Sequence, residues 1–375
     1  MIIQSKPLRH VNVLFDIFFD FLKLVHYTLI VNILHDTFCH NIHRGAWGGR
    51  RCFCFVTKPP NLTSRSSFDS RQKALSFALG GVLILRTMSK RIRILILAGA
   101  LSAFTLSQLS AMTIPSQYDT SGFALGVQAW TFNDFTAFEA IDKTVEAGGK
   151  VIEFFPGQKL SADRPGAKLD HNMSDEDIAA LKAKLAQAGI IAVNYGVVGA
   201  RGEAEWRKIF EMAKKLNLYG ITTESVDQLD IIEKLVKEFD IHVGIHEHER
   251  RDKDPSYKVW DPKYVLSVVQ DRDSRIGACA DTGHWVGSGL DPLESIKLLK
   301  GRVISCHLVD KNVVGMHGHA VPFGTGVGKI KEILDELKAQ GFAGNISIEY
   351  EYNWGHSVPD VKQCVDFVRD YGAKQ

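Results

Sequence analysis

The 375-residue chain has 45% hydrophobic and 23% charged residues, the composition of a globular protein, which argues against a fibrous, wholly disordered or membrane-embedded chain. Residues 1–111 hold 14 Lys/Arg, 4 Asp and no Glu, whereas residues 112–375 hold 31 Lys/Arg and 39 Asp/Glu. An acidic main body argues against nucleic acid as the partner, because phosphate backbones are bound mainly through Lys and Arg.

The first predicted element in chain order is an export signal at residues 88–111. A basic start from Met88 to Arg93 precedes an uncharged apolar run from Ile94 to Leu106, and the segment ends in Leu-Ser-Ala at Ala111. This is the pattern of a secretory signal peptide, and the run is shorter than the roughly 20 residues of a spanning helix. We therefore expect a periplasmic or extracellular protein without stable membrane insertion. Residues 1–87 are interpreted as an extension of doubtful structure, such as translated upstream sequence.

From residue 123 onward, short β-rich apolar runs alternate with amphipathic stretches of helical period. The eight predicted strands are Phe123–Ala129, Val151–Phe155, Ile190–Tyr195, Gly220–Thr223, Ile241–His246, Ile276–Ala280, Val303–Cys306 and Ile346–Glu349. The clearest predicted helices are Asp175–Gly189, Glu203–Leu216, Gln228–Phe239, Pro292–Leu299 and Lys329–Gln340. Ser174, with Asp177 three residues on, is typical of a helix start, and Gly189 and Gly341 are typical of helix ends.

This alternation predicts an α/β protein with a parallel sheet covered by helices. Eight strand and helix pairs in residues 112–375 favour a closed (β/α)₈ TIM barrel, which typically needs about 250 residues. A doubly wound open sheet is the alternative, but no strand is followed by a dinucleotide-type glycine turn. The glycines at 324, 326 and 328 are interpreted either as a phosphate cradle or as a flexible turn.

In a TIM barrel the active site lies at the carboxyl ends of the strands. Five consecutive predicted strands end in carboxylates or imidazoles, namely Glu224, the run His246-Glu247-His248, Asp281 with His284, His307 with Asp310, and Glu349 with Glu351. Carboxylate oxygens and imidazole nitrogens are the ligands expected for divalent Mn, Co, Fe, Zn or Mg. The sequence therefore predicts one divalent metal ion at this rim.

The main body, from about Phe123 to the C-terminus, resembles the xylose isomerase-like family of sugar isomerases and epimerases. The resemblance rests on Gly126-Val-Gln-Ala-Trp130, Val151-Ile-Glu-Phe-Phe-Pro156, Cys279-Ala-Asp-Thr-Gly-His284, Ser305-Cys-His-Leu-Val-Asp310 and Ser347-Ile-Glu-Tyr-Glu351. It implies four metal ligands from strands five to eight, which here are His246, Asp281, His307 and Glu349. The sugar epimerases have a Glu, which also serves as a proton-transfer base, where this chain has His246.

The resemblance also implies how the reaction runs. Glu349 is the candidate general base. Either Glu224, Glu247 or His248 supplies a second base in place of the missing strand-five Glu, or the reaction uses only one base. His284 matches a partner of a substrate hydroxyl or oxyanion. Candidate substrate-binding residues are Trp130, Glu153, His248, His284, Trp285 and Trp354, although the aromatic ones could equally be core residues and Glu153 could equally form a structural salt bridge.

The leading functional prediction is a divalent-metal-dependent sugar isomerase or epimerase that acts on a small carbohydrate through an enediolate. One alternative is a lyase or dehydratase acting on an oxidised sugar, keto-glycoside or inositol derivative. The related abasic-site endonucleases need further early-strand ligands, and only Glu153 and Asn194 are present there. A non-catalytic sugar-binding barrel is the remaining alternative. The resemblance also implies that the protein could form a homo-oligomer.

Overall fold

The structure, a computed structural model, describes residues 112–373. The predicted extension and export signal lie outside the described residues. Within the described part, no helix is long and apolar enough to cross a membrane.

Eight parallel strands form the centre of the fold. They are β1 (Phe123–Gln128), β2 (Val151–Phe154), β3 (Ile191–Tyr195), β4 (Gly220–Thr223), β5 (His242–His246), β6 (Ile276–Asp281), β7 (Val303–Leu308) and β8 (Asn345–Ile348). Each strand pairs with its neighbours in chain order, and β1 pairs with both β2 and β8, so the sheet closes on itself. The TIM barrel prediction is confirmed, and the open-sheet alternative is excluded because a doubly wound sheet has two free edges.

Nine helices occur in the described residues, mostly on the outside of the barrel. They are α1 (Ala137–Glu146), α2 (Asp175–Ala188), α3 (Glu203–Lys215), α4 (Leu229–Phe239), α5 (Pro262–Val269), α6 (Thr282–Gly287), α7 (Pro292–Leu298), α8 (Ile330–Ala339) and α9 (Val358–Ala373). Four of them were not among the clearest sequence predictions, and α6 is too short for a periodic pattern to reveal. The five predicted helices are all present, and none of their ends is shifted by more than one residue.

The signals at the ends of α2 act as predicted. The Ser174 side chain accepts a hydrogen bond from the Asp177 backbone N–H at 3.1 Å, which satisfies one of the free donors of the first turn. Gly189 ends the helix with φ +72°, a left-handed conformation that glycine adopts without steric cost. Three acidic residues in the first turn interact favourably with the helix dipole.

Two short antiparallel ribbons lie in the loops beyond the barrel strands. Gln158–Ser161 pairs with Arg164–Leu169 after β2, and Asp310–Lys311 pairs with Ala320–Val321 after β7. Both ribbons follow the carboxyl end of a barrel strand. They therefore lie on the face where a TIM barrel carries its active site.

The apolar core has two parts. The larger cluster joins strand residues to the inner faces of the helices. The smaller one contains Ala124, Val151, Val193, Tyr219 and Ile304, which lie at or near the beginnings of their strands. This cluster places apolar side chains at the amino end of the barrel.

Candidate active site

Four polar side chains from four consecutive strands meet at the carboxyl end of the barrel. His246 ends β5, Asp281 ends β6, His307 lies in β7 and Glu349 directly follows β8. One ligand atom from each of these residues lies within 4.8 Å of all the others, and all four side chains are buried. We call these four residues the ligand group.

The contacts inside the ligand group define which atoms face each other. His307 Nδ1 lies 2.8 Å from Glu349 Oε2, 3.6 Å from Asp281 Oδ2 and 3.1 Å from His246 Nε2. His246 Nε2 in turn lies 3.5 Å from Asp281 Oδ2. Two imidazole nitrogens and two carboxylate oxygens therefore point at one small volume.

Asp281 has its second oxygen engaged elsewhere. Oδ1 accepts the backbone N–H of His284 at 2.8 Å and so caps the first turn of α6. The chain continues from β6 directly into this short helix, which fixes the carboxylate in place. Oδ2 is thereby held toward the two histidines.

The electrostatics of the ligand group favour added positive charge. Burial alone would lower the pKa of His246, but Asp281 and Glu224 outweigh it and raise the pKa to about 10. Burial would raise the pKa of Asp281, yet the surrounding histidines hold it well below its usual range. The pKa of His307 is also raised well above its ordinary value against the effect of burial, by the charges of Cys279, Glu153 and Glu349. The two imidazole nitrogens and two carboxylate oxygens, and the electrostatic field that they lie in, both fit a divalent cation.

A second cluster, the rim cluster, borders the ligand group on the side of β4 and β5. His248 Nδ1 makes a short hydrogen bond with Glu224 Oε1, and the Tyr257 hydroxyl donates to the same oxygen at 3.1 Å. His246 Nδ1 lies 3.6 Å from Glu224 Oε1 and 3.2 Å from His248 Nδ1. His248 is partly exposed, so this cluster faces the mouth of the barrel.

A cleft opens beside the ligand group on the side of β6 to β8. It is lined by Asp281, Gly283, His284, Val309, Lys311, Gly318, His319, Ala320 and Glu351. Lys311 Nζ lies 2.5 Å from Glu249 Oε1, and His284 Nδ1 lies 3.9 Å from the same oxygen. Burial, together with the charge of Glu349, raises the pKa of Glu351 to about 7. The cleft thus offers several hydrogen-bonding groups next to the ligand group.

Aromatic side chains form another part of the rim. Trp130, which follows β1, is 40% exposed and packs edge-on against Phe155 at 5.0 Å and Trp354 at 6.5 Å between ring centroids. These three residues follow β1, β2 and β8, which are neighbours in the barrel. They form a continuous apolar edge of the mouth.

The comparison with protein families agrees with this architecture. The family described as xylose isomerase-like TIM barrel matches residues 141–371, which is more than half of the chain. The chain belongs to this family. The resemblance to the xylose isomerase-like family drawn from the sequence is therefore confirmed.

Several solved structures share this fold. An uncharacterised protein from Parabacteroides distasonis ATCC 8503 is 33% identical, with a TM-score of 0.54 over 66% of this chain and 98% of that chain. A D-tagatose 3-epimerase-like protein (17% identity, 66% and 96% coverage, TM-score 0.53) and a D-allulose 3-epimerase from Methylomonas sp. (15%, 66% and 97%, 0.52) share the fold. A comparison with curated proteins finds no match.

The structure places the remaining predicted residues at different depths in this xylose isomerase-like barrel. His284 lines the cleft, whereas Trp130 and Trp354 lie at the rim. Trp285 has no exposed surface and packs in the apolar core. Glu153 is also fully buried, and its carboxylate contacts protein side chains inside the barrel.

The glycine run after β7 is not a free phosphate cradle. The Asp310 carboxylate accepts the backbone N–H groups of Gly324 (2.9 Å), Gly326 (3.0 Å) and Gly328 (2.7 Å). The chain's own carboxylate therefore fills the position that an anion would take. The segment forms a turn, and these three hydrogen bonds hold it to Asp310.

Sequence reasoning missed several residues of the site. Glu249 and Lys311 each lie three residues beyond a strand end, and Tyr257 lies further along the loop after β5, so their arrival at the rim depends on how the loops fold. The sequence shows Glu351 two residues after Glu349. Alternation along a strand places both on one face, but it does not indicate that Glu349 joins the ligand group whereas Glu351 lines the cleft.

Proposed function

We propose that the protein is a divalent-metal-dependent sugar isomerase or epimerase acting on a small carbohydrate. The observation that carries the proposal is the ligand group: two imidazoles and two carboxylates converge, buried, beside an open polar cleft. Family membership and the shared fold with sugar epimerases support it. A divalent ion held by these four residues would supply a positive charge that stabilises an enediolate.

Glu349 is the residue we assign as general base. Its Oε2 points to His307 within the ligand group, which leaves the other carboxyl oxygen available for a proton from the carbon next to the sugar carbonyl. Its position directly after β8 places it beside Glu351 and the cleft. A substrate in the cleft would meet Glu349 from the side of β8.

The second proton-transfer group is the pair Glu224 and His248. In an eight-stranded barrel in chain order, β4 lies diametrically opposite β8, so Glu224 faces Glu349 across the mouth. Epimerisation needs proton donors and acceptors on two faces of the sugar, and this pair supplies the second face although His246 replaces the epimerase glutamate. Glu224 holds the His248 ring in place, and the Tyr257 hydroxyl donates to the same carboxylate oxygen.

The cleft residues orient the sugar. His284 and Lys311 can donate hydrogen bonds to hydroxyl or carbonyl oxygens, and Glu249 holds Lys311. The aromatic edge formed by Trp130, Phe155 and Trp354 offers flat apolar surface on which the apolar face of a sugar ring can stack.

The test is solvent deuterium exchange. Purified protein loaded with Mn, Co, Fe, Zn or Mg is incubated with a panel of keto- and aldo-sugars in D₂O, and the recovered sugar is analysed by NMR. Deuterium at the carbon next to the carbonyl, with appearance of the epimer or isomer, is expected. Sugar that binds but neither exchanges nor changes identifies a non-catalytic sugar-binding barrel instead.

A lyase acting on a keto-glycoside is the second candidate, and the cleft favours it. Elimination needs one base and a proton donor for the leaving group, and His284, Lys311 and Glu351 line the cleft. The same proton abstraction by Glu349 would then expel the group on the β-carbon. Release of the aglycone from a keto-glycoside identifies the lyase, whereas a product that keeps its glycosidic bond identifies the epimerase.

We also propose that the barrel acts in the periplasm or outside the cell, after cleavage of the predicted signal. The supporting feature is the basic, apolar and small-residue pattern of residues 88–111. Determination of the N-terminus of the mature protein from its native host tests this: a start at Met112 supports export, and a mature chain that retains residues 88–111 contradicts it.

A further inference from the structure

Glu153 stands out because it is a fully buried carboxylate behind the ligand group. It lies on β2, and its Oε1 accepts a hydrogen bond from Thr222 Oγ1 at 2.9 Å. Its Oε2 accepts one from Ser347 Oγ at 2.8 Å, and Asn345 Nδ2 donates to that same Ser347 oxygen at 2.8 Å. Side chains from β4 and β8 therefore fix the carboxylate inside the barrel.

The same carboxylate faces the far side of a metal-ligand candidate. Glu153 Oε2 lies 3.1 Å from His307 Nε2, whereas His307 Nδ1 is the atom that points at Asp281 and Glu349. A neutral imidazole has one N–H and one lone pair, and an ionised carboxylate can only accept a hydrogen bond. Carboxylates face both nitrogens, so a neutral ring that ligates a cation through Nδ1 carries its N–H on Nε2, toward Glu153.

We infer that Glu153 is a positioning residue: its carboxylate, 3.1 Å from Nε2 of His307, favours the proton on Nε2 and leaves Nδ1 free to ligate the metal. This inference rests on the proposed metal site. Glu153 itself contacts neither the metal position nor the cleft, so it is not a substrate-binding residue. Carboxylates that orient a ligating histidine in this way typically change metal affinity by about 10- to 100-fold.

The other histidine of the ligand group provides an internal contrast. His246 Nδ1 lies 3.6 Å from Glu224 Oε1, but that oxygen also accepts hydrogen bonds from His248 and Tyr257, and Glu224 is partly exposed. Glu224 is thus shared and partly solvated, whereas Glu153 is enclosed. The histidine held by Glu153 is the more rigidly oriented ligand.

The test is the zinc affinity of the Glu153→Gln variant, measured by competition with a chromophoric chelator. An amide keeps the size of the side chain but can also donate to Nε2, which would move the His307 N–H to Nδ1. We expect affinity to fall by about 10- to 100-fold. The matched control is Asp310→Asn, the same carboxylate-to-amide change at another buried side chain, whose partners are backbone N–H groups of the glycine run; the zinc affinity of this variant should not change.

A second variant keeps the experiment decisive if Glu153→Gln does not fold. Ser347→Ala removes one donor to Glu153 but leaves the carboxylate, and we expect a smaller loss of affinity, below about tenfold. In zinc-loaded wild-type protein labelled with ¹⁵N-histidine, NMR should find the His307 proton on Nε2. A proton on Nδ1 would overturn the inference whatever the affinities are.

The outcomes separate the two proposals. Wild-type protein that binds no divalent ion would overturn the proposed metal-dependent function. Wild-type protein that binds zinc, together with a folded Glu153→Gln variant of equal affinity, would leave that function intact and overturn the role of Glu153.

Discussion

Two buried aspartates at neighbouring strand ends differ in how their negative charges are compensated. Asp281 at the end of β6 and Asp310 just after β7 are each only 1% exposed. Asp310 accepts three backbone N–H groups from the glycine loop. Asp281 accepts one N–H from the chain, and its other oxygen faces the ring nitrogens of His246, His307 and His284 at 3.5 to 4.0 Å.

The difference teaches how to tell a structural carboxylate from a functional one. A buried charge is costly unless it is paired or hydrogen-bonded. The chain itself satisfies Asp310 completely, so that residue anchors a loop. Asp281 is left with an oxygen that only the histidines face, and histidines can satisfy it either by carrying protons or by sharing a cation with it.

The largest effect is expected for Asp281→Asn. Because the substitution removes one of the two negative charges of the ligand group, turnover should fall by at least about 10³-fold. Wild-type protein at a metal concentration of 100 times Kd should gain about 2.7 kcal/mol of stability, and the variant should gain almost none. Thermal unfolding with and without Zn²⁺ measures this. Equal stabilisation of both proteins would remove Asp281 from the site.

Asp310→Ala should act on stability rather than on metal binding. It leaves three amide N–H groups without their acceptor, which we expect to cost about 3 kcal/mol in the free energy of unfolding. For a domain of this size that corresponds to a drop in Tm of about 6–12 °C. Urea unfolding and zinc titration together test the contrast, and a variant that loses zinc binding but keeps its Tm would reverse the roles of the two aspartates.

Gly326→Ala tests the packing of the same loop. A Cβ at this position would lie 2.2 Å from the Lys311 carbonyl oxygen and 2.5 Å from Asp310 Oδ1, so the backbone has to move. We expect a loss of about 2 kcal/mol. Gly355→Ala is the control, since nothing lies within 4 Å of its added Cβ. Similar Tm values for the two variants would show that the loop is not held tightly around Asp310.

The smallest effect concerns Asp273, a carboxylate near the surface. Hydrogen bonds from the Arg275 guanidinium lower the pKa of Asp273 to about 2. Because the folded pKa lies below the unfolded value of about 3.9, this pair stabilises the fold above about pH 4, and the contribution is lost as pH falls through 2.

Solvent screening limits the contribution of Asp273 to about 1 kcal/mol. Asp273→Asn should therefore be less stable than wild type by that amount at pH 6, and the gap should narrow toward pH 2. A gap that stays constant with pH in urea unfolding would mean that Asp273 stabilises the fold through packing and not through its charge.

The positions of the strands and of the ligand group could be read from the sequence. Apolar runs alternating with helical periods predict the barrel, and in a barrel every strand delivers its last residues to one rim. That argument brings His246, Asp281, His307 and Glu349 together without coordinates. It does not distinguish His307 Nδ1 from Nε2, and it does not reveal that Glu153 lies behind that ring.

The sequence by itself determined the barrel, the rim that carries the ligand group and the kinds of side chain found there, because these follow from periodicities and from strand order. Only the tertiary structure decided the depth and the partners of each side chain. The Asp310 carboxylate accepts hydrogen bonds from three glycine backbone N–H groups that lie 14 to 18 residues later in the chain. Trp285 lies in the core although it follows His284 directly. Such outcomes depend on long-range packing and loop paths, which local sequence patterns do not encode.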